Sequence, residues 1–234
     1  MTAFDRATIL LIGSGRLAQH LHFWNSQLQS PNVLLDWDRS QDLKLLNDKL
    51  AQVQIVWLAI SDSALVSFYD KHLSQKNLTV LHFSGAVYED RMVSAHPLMS
   101  FPKSLLKSEV YSQIHFALTG VTKLYEVMPG FTNGFSLMAA QDKALYHALC
   151  VVSGNFPQLL WSETFPKLLQ LNIPEAAVHL YIRQITENFI QFKNNALTGP
   201  FVRKDLKTIE ENSAALTNSK LKKVYQSFAE EFSQ

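Results

Sequence analysis

Lys143 and His147 stand four residues apart in a stretch of helical periodicity, so they share a face. A lysine or histidine so placed can give a proton to a carbonyl oxygen as hydride reaches the carbon, or take one in the reverse direction. Asn155 lies two turns on, offset by about 80° around the helix at ~100° per residue. Ser84-Gly85 and His96-Pro97-Leu98 each follow a predicted strand, at the edge where open α/β sheets bind ligands. Lys143 and His147 are therefore candidate catalytic residues, and Ser84, His96 and Asn155 candidate substrate residues. The other histidines, among them His20, His22, His72, His115 and His179, show no metal-ligand spacing, and no cysteine pair exists. No metal site is expected. No G-x-S-x-G elbow is present, which argues against a serine hydrolase.

These residues need a sheet to carry them. Ile9 to Ile12 form a short apolar run, followed at once by Gly13-Ser14-Gly15 and then by Leu17, Leu21, Trp24 and Leu28 at helical spacing. Strand, glycine turn and helix in that order make the G-x-G-x-x-A form of the dinucleotide fingerprint. Gly13 allows the tight turn, Gly15 lets the backbone approach a pyrophosphate, and Ala18 keeps the helix close to the strand. The helix N-terminus favours the phosphates. Asn32 to Asp36, Gln54 to Ile60 and Leu78 to Phe83 read as further strands, with Met92 to Ala95 and Ile114 to Leu118 as shorter ones. Helical stretches lie between the early strands: Leu43, Leu46 and Leu50 in one, and Leu65, Phe68, Tyr69 and Leu73 in another, with Ser61 as its N-cap. The alternation predicts a parallel, doubly wound sheet.

Near residue 140 the pattern changes to helices. Leu145, Ala148, Leu149 and Val152 share a face that also carries Cys150, read as packing. Ala176 to Phe192 and Thr208 to Phe232 are long helical stretches, and Pro157, Pro166 and Pro174 are expected to bend or break the helices between. The predicted domains are a Rossmann-type domain over residues 1–140 and an all-helical domain over residues 141–234, the latter expected as a lid over the crevice.

Composition bounds the rest. The 234 residues are 47% hydrophobic, enough for a sizeable core, and carry a net charge of +1. Neither nucleic acid nor an anionic membrane is expected as a partner on charge grounds. One cysteine precludes a disulfide within the chain and fits a reducing compartment. No run of ~18 apolar residues suggests a spanning helix, and the start MTAFDRAT lacks the pattern of a leader, so the expectation is a cytoplasmic protein.

The end of the second strand bears on cofactor choice. An acidic residue there hydrogen-bonds ribose hydroxyls, whereas an arginine pairs with a 2′-phosphate. The chain has Asp36-Trp37-Asp38-Arg39-Ser40, with Asp36 expected to be buried and Arg39-Ser40 to form a phosphate clamp. NADP is the expected cofactor, with NAD the alternative should Asp38 point into the site. Cofactor contacts are assigned to Gly13, Ser14, Gly15, Arg16, Leu17, Arg39, Ser40, Ile60 and Ser61.

The stretch NALTGPFVRKD at 195–205, Asp142 to Ala148 and His96-Pro97-Leu98 resemble a bacterial family that joins a Rossmann-like NAD(P)-binding domain to a helical domain of unknown function. Gly13 to Arg16, Arg39-Ser40, the strand ending in Asp62 and His82 to Gly85 are similar to the same pattern. Ser61, Lys204 and Asn212 depart from it, standing where proline, glycine and histidine are usual, and Pro157 interrupts a long helix. The resemblance implies the 6-phosphogluconate dehydrogenase and pyrroline-carboxylate reductase superfamily, and a helical domain of 6-phosphogluconate-dehydrogenase type. It implies that Lys143 takes the place of a lysine that protonates substrate oxygen in hydroxyacid members. His147 stands where those members have asparagine. It also brings Arg203 in as a holder of a substrate carboxylate. The function this implies is an NADP-dependent oxidoreductase acting on a small carboxylated metabolite, as a homodimer. A non-catalytic dinucleotide sensor or scaffold is the alternative.

Overall fold

The computed structural model describes residues 6–217 and 219–232, so Met1 to Asp5 of the start read for a leader lie outside the described residues. The chain divides into two compact units, Met1–Asn155 and Phe156–Gln234.

The first unit is built on β1 (Thr8–Ile12), β2 (Val33–Trp37), β3 (Ile55–Leu58), β4 (Thr79–His82), β5 (Val93–Pro97), β6 (Phe116–Thr119) and β7 (Phe135–Leu137). They form one sheet in the order β2-β1-β3-β4-β5-β6-β7. The helices of this unit are α1 (Arg16–Ser26), α2 (Leu43–Leu50), α3 (Asp62–His72), α4 (Ser108–Tyr111) and α5 (Lys143–Cys150). β1 lies between β2 and β3, and its alternate side chains serve two cores. Ile9 and Leu11 pack with Leu21, Trp24, Trp57 and Phe116 on one face. Leu10 and Ile12 pack with Leu46, Leu50, Val56 and Leu65 on the other. Burial on both faces is why the strand reads as an unbroken apolar run. Each such side chain contributes roughly 1.5–3 kcal/mol. The indole N–H of buried Trp57 donates to the Val127 carbonyl at 2.8 Å, so its polar edge is satisfied.

β1 to β5 are parallel, but β6 runs antiparallel to β5, pairing Ser94 with Thr119 and Pro97 with Phe116. The doubly wound sheet is thus mostly parallel, and β6 with β7, which runs parallel to it, depart from the parallel expectation. The link between β5 and β6 carries only the four-residue α4, about 6 Å long. Residues 98–115 are long enough to serve either direction, so it is the pairing itself, Ala95 with Leu118 and His96 with Ala117, that sets β6 antiparallel. β7, a strand with exposed side chains at the sheet edge, has no counterpart in the sequence reading.

α5 belongs to the first compact unit, which continues through a π turn at Val151–Asn155. The sequence reading draws the boundary earlier, at residue 140. Leu145, Leu149 and Val152 on its apolar face are more than half exposed. The second unit consists of α6 (Phe156–Gln170), α7 (Glu175–Phe192), α8 (Pro200–Arg203), α9 (Leu206–Ala215) and α10 (Ser219–Phe232). Pro166 lies inside α6, which runs through it, whereas Pro174 is the N-cap of α7. The single helix expected over 208–232 is two, the first capped by Asp205, which accepts from the Thr208 N–H at 3.1 Å. No helix among the described residues is long and apolar enough to cross a membrane.

Candidate functional site

The glycine loop joins β1 to α1. Gly13 has φ +120°, and a Cβ there would lie 2.4 Å from the Ala59 carbonyl oxygen. Its N–H donates to Trp37 O at 2.9 Å. The fold itself therefore requires glycine at this position. Gly15 is different. It is the N-cap of α1 at φ −75° and ψ −173°, a conformation open to any residue, and a Cβ would meet nothing within 4 Å. α1 has no side-chain cap and no acidic residue in its first turn. The helix thus presents backbone donors and the positive end of its dipole to open space, and an anionic phosphate fits there. Ala18 is buried beneath, and Leu17 packs at the core margin. Ser14 and Arg16 are exposed, Ile60 is half-buried with its Cγ2 beside Gly13, and exposed Ser61 caps α3 by position, without a side-chain bond.

Beyond β2, Asp36 is exposed and pairs with His22 Nε2 at 2.6 Å, which corrects the expectation that it is buried. β2 is an edge strand, so one flank of it lacks cover. Asp38 accepts from the Ser40 N–H at 2.8 Å and the Ser40 hydroxyl at 2.5 Å. These bonds, with a further one from Ser14, hold its carboxyl below the usual carboxylate range. Ser40 is therefore engaged by Asp38, and exposed Arg39 is the member of the expected clamp left open to a phosphate.

A second cluster forms where α5 meets the carboxyl end of β4 and the neighbouring β5. Lys143 is 2% exposed. Its ammonium donates to the Ser84 carbonyl at 3.1 Å and to Ser94 Oγ at 2.7 Å. Among the described residues it makes no ion pair within 4.0 Å. Burial pulls its pKa down to about 8, against a smaller opposing pull from Asp62. At neutral pH it still carries its proton, yet gives it up far more readily than a solvated lysine.

Three histidines surround it. His82 Nδ1 accepts the Ser84 N–H at 3.2 Å, which leaves the ring proton on Nε2. His96 follows Ser94 by two residues on β5, on the same strand face, and its Nδ1 lies 2.8 Å from the Tyr146 hydroxyl. Burial first, and the Lys143 charge second, lower both rings to about 4. Both are neutral near pH 7. His147 faces His96 with ring centroids 6.4 Å apart. Gly85 sits against the two rings, since a Cβ there would lie 2.9 Å from His147 Cδ2 and 3.1 Å from His96 Nε2. The Ser84 hydroxyl donates to Asp62 at 2.7 Å and accepts from the Val87 N–H at 3.0 Å, fixing the turn.

Thus Lys143, His147, Ser84 and His96 come together. Asn155 does not: it is exposed at the end of the π turn. Arg203 is exposed on α8 of the second unit. The sequence reading missed Ser94, His82, Tyr146 and Asp62 as members of the cluster. Tyr146 is three residues from Lys143, and Ser94 two from His96, so helix and strand periodicity carried a signal for both. Cys150, read as packing, is half-buried and neighbours Tyr146, whose phenol pKa burial raises further above its ordinary value. No group of three or more His, Cys, Asp or Glu suited to a metal occurs among the described residues.

Residues 114–232 match the family described as Domain of unknown function (DUF2520), and the chain belongs to that family. No curated protein matches the chain. Among solved structures, a candidate NADP oxidoreductase from Bacteroides fragilis is similar at 16% identity and a TM-score of 0.77, over 97% of this chain and 98% of that one. A Thermotoga maritima protein is similar at 21% identity and a TM-score of 0.68, over 96% and 98% of the two chains. The 1-pyrroline-5-carboxylate reductase of Streptococcus pyogenes is similar at 16% identity and a TM-score of 0.60, over 94% and 96%. The common property at these identities is the fold: a Rossmann-type sheet followed by a helical unit.

Proposed function

We propose that the chain is an NADP-dependent oxidoreductase that moves hydride between the nicotinamide and a C–O or C–N centre of a small carboxylated metabolite. The observation that carries this reading is the open space before Gly15 at an uncapped α1 N-terminus. The protein has no steric need of glycine there, and a pyrophosphate does. β2 and β4 are three strand spacings apart in the sheet, about 14 Å, so a dinucleotide anchored at the loop with its adenosine end by β2 extends toward β4 and β5. The names of the Bacteroides and Streptococcus neighbours support the same reading.

The nicotinamide supplies hydride when bound. The remaining work belongs to the chain. Backbone N–H groups of the loop and of the first turn of α1 hold the pyrophosphate, and Arg39 pairs with the 2′-phosphate. Lys143, protonated at pH 7, gives a proton to the substrate heteroatom, worth typically ~10²–10⁴-fold in rate. The Ser84 carbonyl and Ser94 Oγ fix the direction of its N–H bonds.

Calorimetric titration with NADPH and NADH tests this on wild type and Arg39→Ala. Tight NADPH binding weakened toward the NADH value in the variant is expected. NADH preference would move the weight to Asp38, and binding of neither nucleotide would refute the function.

A further inference from the structure

Besides the His82 Nε2–H, two donors of the cluster have no acceptor among the described residues. An ammonium has three protons, and Lys143 places two, on the Ser84 carbonyl and Ser94 Oγ. The second donor is set by Tyr146. Its hydroxyl faces His96 Nδ1 at 2.8 Å on one side and Cys150 on the other. A thiol sulfur is a weak acceptor and an imidazole nitrogen a good one, so the phenol donates to Nδ1. The ring proton of His96 is then on Nε2, beside Gly85, where a side chain would fill the space. Ser94 and His96 share a face of β5, so the Lys143 ammonium and the His96 ring edge lie on the same side of the sheet.

We propose that Lys143 and His96, with Tyr146 fixing the His96 tautomer, form an oxygen-accepting subsite over Gly85, so that the reacting group of the substrate is a carbonyl or hydroxyl rather than an imine or amine. This rests on the oxidoreductase reading above and narrows it. A buried ammonium without a carboxylate partner is costly, and a ligand oxygen that gains negative charge relieves it. An iminium would instead set a second cation beside Lys143. The groups facing Lys143 offer such a cation little: His82 and His96 are neutral rings, and the carboxylate of Asp62 already accepts from Ser84. As the carbonyl carbon takes up hydride, the C–O π pair moves to oxygen and Lys143 passes its proton there. An alcohol and a neutral amine result, and the amine regains a proton from water.

The test is calorimetry on protein saturated with NADPH, using two carboxylate probes that differ at the reacting centre. Oxamate offers a carbonyl oxygen, and L-proline offers a secondary ammonium. Oxamate binding at least ten-fold tighter than proline is expected. It should weaken by ten-fold or more in Tyr146→Phe, with NADPH affinity unchanged. In ¹⁵N spectra, His96 of wild type should show protonation at Nε2, and Tyr146→Phe should release that preference. Equal or tighter proline binding overturns the proposal on wild type alone. So does a His96 proton on Nδ1, or failure of both probes while NADPH binds. If NADPH itself does not bind, the oxidoreductase reading fails and this inference falls with it.

Discussion

Replacing Lys143 with methionine should change how stability responds to pH. Lys143 is buried, with a pKa near 8 against an ordinary 10.5. The unfolded chain therefore holds this proton to higher pH than the native one, and native stability rises with pH across the window from about 8 to about 10.5. The gap of about 2.5 between the two pKa values, at ~1.36 kcal/mol per unit, sets a burial penalty of about 3.4 kcal/mol at low pH. At pH 7 it is carried almost in full. By pH 10 the native amine is neutral while most unfolded chains remain protonated, so about 2.5 kcal/mol of it is relieved. Lys143→Met keeps a side chain of similar length without a charge. It leaves the Ser84 carbonyl and Ser94 Oγ without their donor, a cost that does not vary with pH. Urea unfolding of the first unit, followed by fluorescence of fully buried Trp57, should be run on both proteins from pH 7 to pH 10. Wild type should gain about 2–2.5 kcal/mol relative to the variant across that range. Parallel stability curves would refute the claim that a buried, protonated lysine sits in this cluster.

On the acid side, His82 is 1% exposed with a pKa near 4. Stability should fall as pH drops from about 6.5 to about 4, by roughly 3 kcal/mol from this residue alone. His82→Asn, whose side-chain oxygen can accept the Ser84 N–H, should flatten that part of the curve in denaturant titrations. Gly13→Ala puts a Cβ at 2.4 Å from a carbonyl oxygen at a positive φ. It should lower stability by about 2 kcal/mol or more, read as a fall in the unfolding midpoint.

How much of this was legible depends on what each residue must satisfy. β1 and β3 are interior strands buried on both faces, so local hydrophobicity alone marks them. The direction of β6 is invisible in its own wholly buried FALT run, because it is set by the pairing with β5 and not by the residues of the run. β7 is three exposed residues at an edge, and its pairing with β6, not its composition, makes it a strand. In the site, Lys143 and His147 share a helix face at a spacing readable in one dimension. Ser94 and His82 join them only because β4 and β5 pair in register, His82 opposite Ser94. Asp38 could be seen to compete with Arg39, but its hold on Ser40 is a turn contact that appears only in three dimensions.

The two glycines of the loop offer the most direct test of the central claim. Gly15→Val adds a side chain into open space at a backbone conformation that valine adopts, so beyond the loss of a better N-cap residue, worth about 1 kcal/mol and roughly 2–4 °C, the fold should be unaffected. The same side chain fills the approach to the α1 N-terminus. Calorimetric titration with NADPH should therefore show binding to wild type and a loss of at least a hundred-fold in Gly15→Val. NADPH affinity equal in the two proteins would contradict the account, because the space before Gly15 would then have no part in holding a dinucleotide.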